Sequence, residues 1–488
     1  MNNVQKARLS GTLGQKIVQI AAYLSHSEDL KIQKLSFRDQ SCAILYVDVL
    51  VKPESVQSNI MQPLKESVSG NVEQNLVAFA VNKSPELVRV GQLLLEGCCA
   101  IITAEDEAAI MVRVPQAHNR SIEEPRAEQV VKGPHDGFIE DLSTNIYLLR
   151  NRIKHPNFKV NYMTFGTVTN TRTAMIYMDR LANPAIVAEC EKRLGELELD
   201  YLYSAGNLDE MLEEHPMSPF PQTLQTERPD RVVSYLMEGK IALIVDGSPS
   251  VLILPITFFS FYQSPDDYNS RWLTGSFFRF IRLISFILAI CLPAIYIAIV
   301  TYHSEVLPIG ILYSVKVSLT YVPLTPILEA ILMQIILELL KEAAIRLPNP
   351  ISQTIGIVGG LVIGTAVVEA QLVSHTMIVV IGLTAIASFV TPINEFGTSL
   401  RILGFPMMAA AAMFGFFGIA IMLMLIFIHL CKIQTLGVPY FTPFGPYQGK
   451  NSFKDVLLRV PLWTFNKTER TREGSLVKQA VFGRWKRR

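Results

Sequence analysis

The chain has 488 residues, half of them apolar and only 18% charged, with a formal net charge of +1. Near neutrality removes the electrostatic case for nucleic acid, and no zinc finger or other nucleic-acid motif occurs. The charges are unevenly placed: up to about residue 282 the sequence reads as soluble, and beyond it charge thins into apolar runs wide enough for a bilayer.

Met1 to Ser10 has charges but no apolar h-region, so no cleavable signal peptide is expected and the soluble half is expected in the cytoplasm. Leu9, Leu13, Ile17, Ile20 and Leu24 recur at helical spacing, an amphipathic N-terminal helix that packs on this protein or on a neighbouring subunit. The soluble half then contains a faint repeat. Ala43 to Asp48 resembles Ala174 to Asp179, each an apolar run followed by a Pro-containing helix start at Pro53 and Pro184. Glu96 to Thr103 resembles Glu238 to Val245, each followed by a polar turn and a further apolar run. The order and spacing favour a duplicated α/β unit, each copy reading strand, helix, helix, β-hairpin. The linker Lys132-Gly133-Pro134-His135-Asp136-Gly137 joins the copies, and a basic helix with Arg150, Arg152 and Lys154 follows, read as a solvated face with phospholipid or a partner as the alternative.

Four stretches carry no formal charge: Leu283 to Tyr302 (20 residues), Leu347 to Val368 (22), Ala370 to Asn394 (25) and Ile402 to Cys431 (30). About 20 apolar residues span the hydrocarbon core. Pro293 should kink or unwind the first span, and Tyr302, His303 and Glu305 form a polar cluster at its extracellular exit. Val306 to Pro326 reads as a loop or half-helix at the outer face, and Ile327 to Arg346 as a helix with acids inside it, Glu329 and Glu338. An acid in the apolar part of a span needs a partner, a proton or water, so Glu329, Glu338 and Glu369 are candidates for ion passage or gating. Gly356, Gly360 and Gly364 recur every four residues with Gly359 and Thr365 beside them. Such a stripe serves close helix packing or leaves room for a pore. Ile402 to Cys431 is too long for one span, and Pro406 is expected to divide it. Lys450 to Arg488 holds 11 Lys/Arg against 3 Asp/Glu, a tail expected to remain cytoplasmic. Four to six spans with both ends cytoplasmic satisfy these signals.

The six cysteines show no disulfide framework or Cys-x-x-Cys pair and read as reduced packing residues. No nucleotide fingerprint, nucleophile elbow or His/Glu metal motif occurs, so no enzyme, cofactor or metal is expected.

Several motifs resemble the A subunits of the GerA-type spore germinant receptors. Gly133-Pro134-His135-Asp136-Gly137-Phe138-Ile139-Glu140, followed by Asn145 and Leu149 to Ile153, is similar to the family's linker signature. Ser264-Pro265-Asp266-Asp267-Tyr268 resembles its pre-membrane motif. Leu292 to Tyr296, Tyr302 to Glu305, Ala344 to Pro348 and Ile357 to Gly364 resemble its membrane signatures. The resemblance implies a receptor in the spore inner membrane, working with a permease-like B subunit and a lipoprotein C subunit. It also implies A subunits that form a homo-oligomeric, nutrient-gated cation channel in contact with membrane lipid. Leu319 to Pro326, Gln334 and Lys341 depart from the family pattern.

The chain therefore divides into an amphipathic helix (1–30), α/β subdomain 1 (31–131), linker and α/β subdomain 2 (132–275), an all-α polytopic membrane domain (276–435) and a basic cytoplasmic tail (436–488). The expected function is a gated channel subunit that triggers spore germination. The alternatives are a non-conducting scaffold, as in the sporulation paralogue encoded in the SpoVA locus, and a secondary transporter using the intramembrane acids.

Overall fold

The computed structural model describes residues 8–37, 40–66, 81–116, 124–125, 128, 132–346, 360, 362–447 and 455–461. Helix α1 (Leu13–Tyr23) starts at a capping box in which Thr12 and Gln15 satisfy each other's backbone N–H groups. Its apolar face packs with Leu9 and Leu24 onto the first sheet of the same chain. That sheet is antiparallel, in the order β1 (Leu30–Phe37), β2 (Gln40–Val47), β4 (Cys98–Thr103), β5 (Ala109–Arg113), β3 (Val81–Ser84), and α2 (Leu87–Leu95) covers it beside α1.

The second sheet has the same strand order: β6 (Phe158–Phe165), β7 (Thr171–Met178), β9 (Ile241–Val245), β10 (Val251–Leu254), β8 (Leu224–Thr226). The two sequence-matched pairs occupy corresponding strands, β2 with β7 and β4 with β9. Each sheet has five strands, where the sequence reading had three. The missed members are β1 and β6, whose mixed apolar and polar residues suit a sheet edge, and the short edge strands β3 and β8.

Between the sheets lies α3 (Leu142–Arg152), the helix read as a solvated basic face. Arg150 is instead buried: its Nε and Nη2 each donate to Asp29 at 2.8 Å, and its guanidinium stacks 4.5 Å from the Phe158 ring centroid. Asp29 belongs to the first unit, so this bidentate pair ties the units together. Helices α4 (Pro184–Gly195), α5 (Ala205–Leu212) and α6 (Pro229–Met237) complete the second unit, whose core continues without interruption into the membrane helices.

The helical part comprises α7 (Pro265–Asn269), α8 (Trp272–Thr301), α9 (Ile309–Thr320), α10 (Pro326–Arg346), a helical stretch at 362–369, α11 (His375–Phe389) and α12 (Asn394–Lys432). Two of these, α8 and α12, are long and apolar enough to cross a membrane. α8 runs helically through Pro293, where a kink or unwinding was expected.

α12 is divided at Gly415, not at Pro406. Gly415 has φ 60° and ψ −140°, a combination that side chains exclude. A Cβ on Gly418 would lie 2.0 Å from the carbonyl oxygen of Ala410, eight residues earlier, a separation of about 12 Å in a straight helix. The Phe220 ring also lies 6.3 Å from both Phe396 and His429, near the two ends of α12. α12 is therefore a hairpin with arms 394–414 and 416–432. Proline removes one donor but fits helical φ, whereas a reversal needs a backbone conformation that only glycine adopts readily.

A Cβ at Gly415 would also approach His303 Nε2 to 2.8 Å. Gly415→Ala should therefore destabilise the detergent-solubilised chain by about 1–3 kcal/mol, read as a lowered thermal midpoint, while Pro406→Ala leaves the midpoint nearly unchanged.

Candidate functional site

Glu329, in the first turn of α10, is completely buried. Its Oε2 accepts the Ser374 N–H at 2.9 Å, and among the described residues the Ser374 hydroxyl is the other donor beside the carboxylate, with Oε1 left without a well-aligned partner. Ser374 caps α11 by accepting the Met377 N–H at 3.3 Å, and its hydroxyl lies 3.5 Å from the Tyr296 hydroxyl of α8. Neutral donors from Ser374 alone do not compensate a buried carboxylate, so this position suits a proton or a cation. Ser374 also lines a cavity of about 710 Å³ walled by α9, the end of the 362–369 helix and the start of α11. Tyr313, Ser318, Tyr321, Glu369, Gln371 and His375 line it. Ser374 thus both donates to Glu329 and shares a cavity lining with Glu369.

Glu338 has different company. Its Oε1 lies 2.7 Å from Arg401 Nε and accepts from Gln334 Nε2 at 3.3 Å. It is the anionic half of an ion pair between α10 and α12, with Lys341 stacked over Phe389 one turn away at 5.4 Å. Gln334 and Lys341 therefore sit at this pair.

Among the described residues, a Cβ at Gly360 or Gly364 would meet nothing within 4 Å. The Thr365 hydroxyl donates to the Val362 carbonyl at 3.2 Å. Gly356 and Gly359 lie outside the described residues. His303 sits in the concave side of the Gly415 reversal, 4.9 Å from the Phe416 ring, with Glu305 exposed 3.7 Å from its Nδ1. The neighbouring Tyr302 hydroxyl donates to the carbonyls of Ala412 (2.9 Å) and Met413 (3.1 Å), acceptors released by the break. This cluster is separate from the Glu329 layer.

Sequence reasoning missed the joint between the soluble and membrane halves. Phe396, at the start of α12, is enclosed by Phe258, Phe261, Tyr262 and Phe286, with ring centroids 5.3 to 6.1 Å away. Beside it Glu213 accepts one N–H, from Gln222 at 3.3 Å. Burial pushes the Glu213 carboxyl up to about 7, reinforced by Asp209 and Glu395. Asp209 is raised as well by burial, opposed by the Thr223 hydroxyl. The dense aromatic run Phe258 to Tyr262 was the available sequence signal for this joint.

Among the described residues, no group of three His, Cys, Asp or Glu side chains is placed to hold a metal ion. A family model described as Bacillus/Clostridium GerA spore germination protein matches residues 18–471. The chain belongs to the GerA spore germination protein family. Spore germination protein A1 of Bacillus subtilis is 39% identical over 76% of this chain and 76% of its own. Spore germination protein B1 of the same organism is 36% identical over 90% of this chain and 92% of its own. The B. subtilis membrane protein YfkQ is 34% identical, covering 95% and 92%. Among solved structures, the N-terminal domain of the A subunit of the Bacillus megaterium spore germinant receptor GerK3 covers 52% of this chain and 98% of its own, at 24% identity and a TM-score of 0.41.

Two GerA-like motifs meet in space. The linker around Gly133 lies against α7: the Lys132 N–H donates to Asp266 at 3.2 Å and Asn269 Nδ2 donates to the Lys132 carbonyl at 3.0 Å. Gly133 has φ 134°, and a Cβ there would lie 2.6 Å from Asn269 Nδ2. The Pro134 carbonyl accepts from Arg228 at 2.9 Å, and Gly137 and Phe138 are buried in the main core. Asp267, in the pre-membrane motif, receives Arg282 through both oxygens at 2.7 and 2.8 Å and Arg279 at 3.3 Å. Arg279 also donates to Asp455, so residues 455–461 are held at the foot of α8 rather than running free as a tail.

For Glu213, the folded chain retains a proton that the unfolded chain releases near pH 4.5, so its contribution to stability falls as pH rises from about 4.5 to 7 and then levels. The thermal midpoint of the full chain in detergent should show this decline between pH 5.5 and 7.5, and Glu213→Gln should flatten it. An unchanged slope in the variant would remove Glu213 as its source.

Proposed function

We propose that the chain is the A subunit of a nutrient germinant receptor in the spore inner membrane, working with a permease-like B subunit and a lipoprotein C subunit. Several copies assemble around a cation path that opens when nutrient is sensed. The observation that carries this reading is the pair of acids beside Ser374. Glu329 has only Ser374 as its partner among the described residues, and Glu369 is exposed beside a cavity in a segment where charge is otherwise scarce. The glycine face at Gly360 and Gly364, open among the described residues, supports assembly, because a bare backbone surface in a bilayer calls for another helix or water. Family membership supports the role in germination.

The topology proposed with it has six crossings: α8, α10, the segment containing 362–369, α11 and the two arms of α12. An even number keeps the soluble units and the basic tail on the cytoplasmic side, as positive charge near membrane ends favours. α9 then lies at the outer face.

Purified protein reconstituted in liposomes, alone and with the B and C subunits, should release potassium on addition of nutrient only when B is present. Silence from an intact complex would favour the scaffold reading. In the active preparation Glu369→Gln should lower conductance or change ion selectivity, and unchanged values would remove Glu369 from the path. Gly360→Leu should disrupt assembly or hold the channel in one state; normal assembly and gating would show that the glycine face is dispensable.

A further inference from the structure

One face of α9 is turned to the cavity beside Ser374: Ser314, Val317, Ser318 and Tyr321 follow one another at i, i+3, i+4 and i+7, and all four line it. The hydroxyls of this helix are not alike. Ser314 donates to the Gly310 carbonyl at 3.1 Å and Thr320 to the Lys316 carbonyl at 2.9 Å, so both are satisfied within the helix. Ser318 Oγ is shielded from solvent and has no partner among the described residues.

The facing wall is a helix end. Gln371 has φ 57°, its N–H donates to the Val368 carbonyl at 2.8 Å, and the Leu372 N–H donates to the Val367 carbonyl at 3.0 Å, which together close the 362–369 helix on a left-handed residue. The exposed Glu369 carboxylate and the negative end of that helix dipole therefore meet at the cavity. The N-terminus of α11 reaches it too, but the buried Glu329 answers that positive end by accepting the Ser374 N–H. With His375 neutral, Glu369 is the one charged residue among the described lining residues.

The rest of the wall is largely apolar, formed by the Tyr313 and Tyr321 rings with Val317, Val322, Val368 and Val373. A volume of about 710 Å³ suits a small organic molecule. An inorganic ion would leave most of it to water, and a divalent one would find a single carboxylate where it needs several oxygen ligands. A cation with an apolar body uses the charge and the apolar wall together.

We propose that this cavity binds an organic ammonium ion, a protonated amine carrying an apolar body. Its N–H groups donate to the Glu369 carboxylate and to Ser318 Oγ, and its body packs on the Tyr321 ring and the valines. The ammonium comes either from a dissolved amine or from the ethanolamine headgroup of a lipid, since α9 lies at the outer face in the topology proposed above. That placement rests on the proposed topology; the binding chemistry does not.

Equilibrium dialysis of labelled phenethylamine against the full chain in maltoside detergent reads the binding directly. Phenethyl alcohol, of the same shape without the charge, and protein-free micelles set the background of apolar partition. The amine should bind saturably and the alcohol should not. Glu369→Gln should weaken the amine at least about fivefold and Tyr321→Leu about twofold to fivefold. Both side chains are exposed, so the variants should keep the wild-type thermal midpoint without amine. Equal uptake of amine and alcohol, or undiminished affinity in either variant, overturns the proposal. Short-chain lipids separate the two sources. Displacement of the amine by dihexanoyl phosphatidylethanolamine but not by the matching phosphatidylglycerol supports the headgroup, and displacement by neither supports a dissolved amine. Displacement by both overturns the proposal and makes the cavity an acyl-chain groove. Potassium efflux is no part of the readout, so a wrong channel assignment leaves this test intact.

Discussion

The position of α8 depends on one buried carboxylate. Asp267 is almost inaccessible to solvent and accepts from both Arg279 and Arg282. Removing any one of the three would leave charge in a low-dielectric setting without its partner, which is the costly half of a buried ion pair. The carboxylate also closes the capping box of Ser264 at the start of α7. Linker, pre-membrane turn, first membrane helix and residues 455–461 therefore meet at a single electrostatic point. The first turns of α8 are held there.

Around that point the soluble and membrane halves are not separate bodies. The apolar core of the second α/β unit continues through Phe220, Phe258 and Phe261 to Phe396 and then along α8 and α12. Edge-to-face and stacked rings hold a surface rigidly while burying a large area. A displacement of the soluble unit would consequently press on both ends of α12, because the arms return to the same aromatic cluster. The half-buried acids Asp209 and Glu213 and the exposed Glu395 border this joint, so charge there acts on the same contact.

Inside the membrane part, one rule accounts for most of the polar placements: a polar group must find a partner within the protein. Tyr302 supplies a donor to the carbonyls freed at the Gly415 reversal, and Arg401 neutralises Glu338. Glu329 has only Ser374 as its partner among the described residues, which sets it apart from the ion-paired Glu338. Its near neighbour Ser374 also lines the cavity that Glu369 borders. The sequence could single out all three acids, Glu329, Glu338 and Glu369, because charge is rare in these runs. It could not show that the first has only Ser374 beside it, the second is paired and the third exposed, since the partners lie 45 and 63 positions away.

The amino-acid sequence by itself determined the division into an α/β part and a helical apolar part, the internal repeat, and family membership, because each is written in local periodicity or in contiguous motifs. Helical spacing and charge-free length need no knowledge of neighbours. Tertiary structure alone decided that Arg150 is a buried tie to Asp29, that Arg279 and Arg282 face inward, and that Gly415 rather than Pro406 reverses α12. In each of these the outcome turns on which distant group compensates a charge, or on a backbone angle set by packing. A one-dimensional pattern records which residues are present, but the partner that makes a charge or a reversal tolerable is chosen only when the chain has folded.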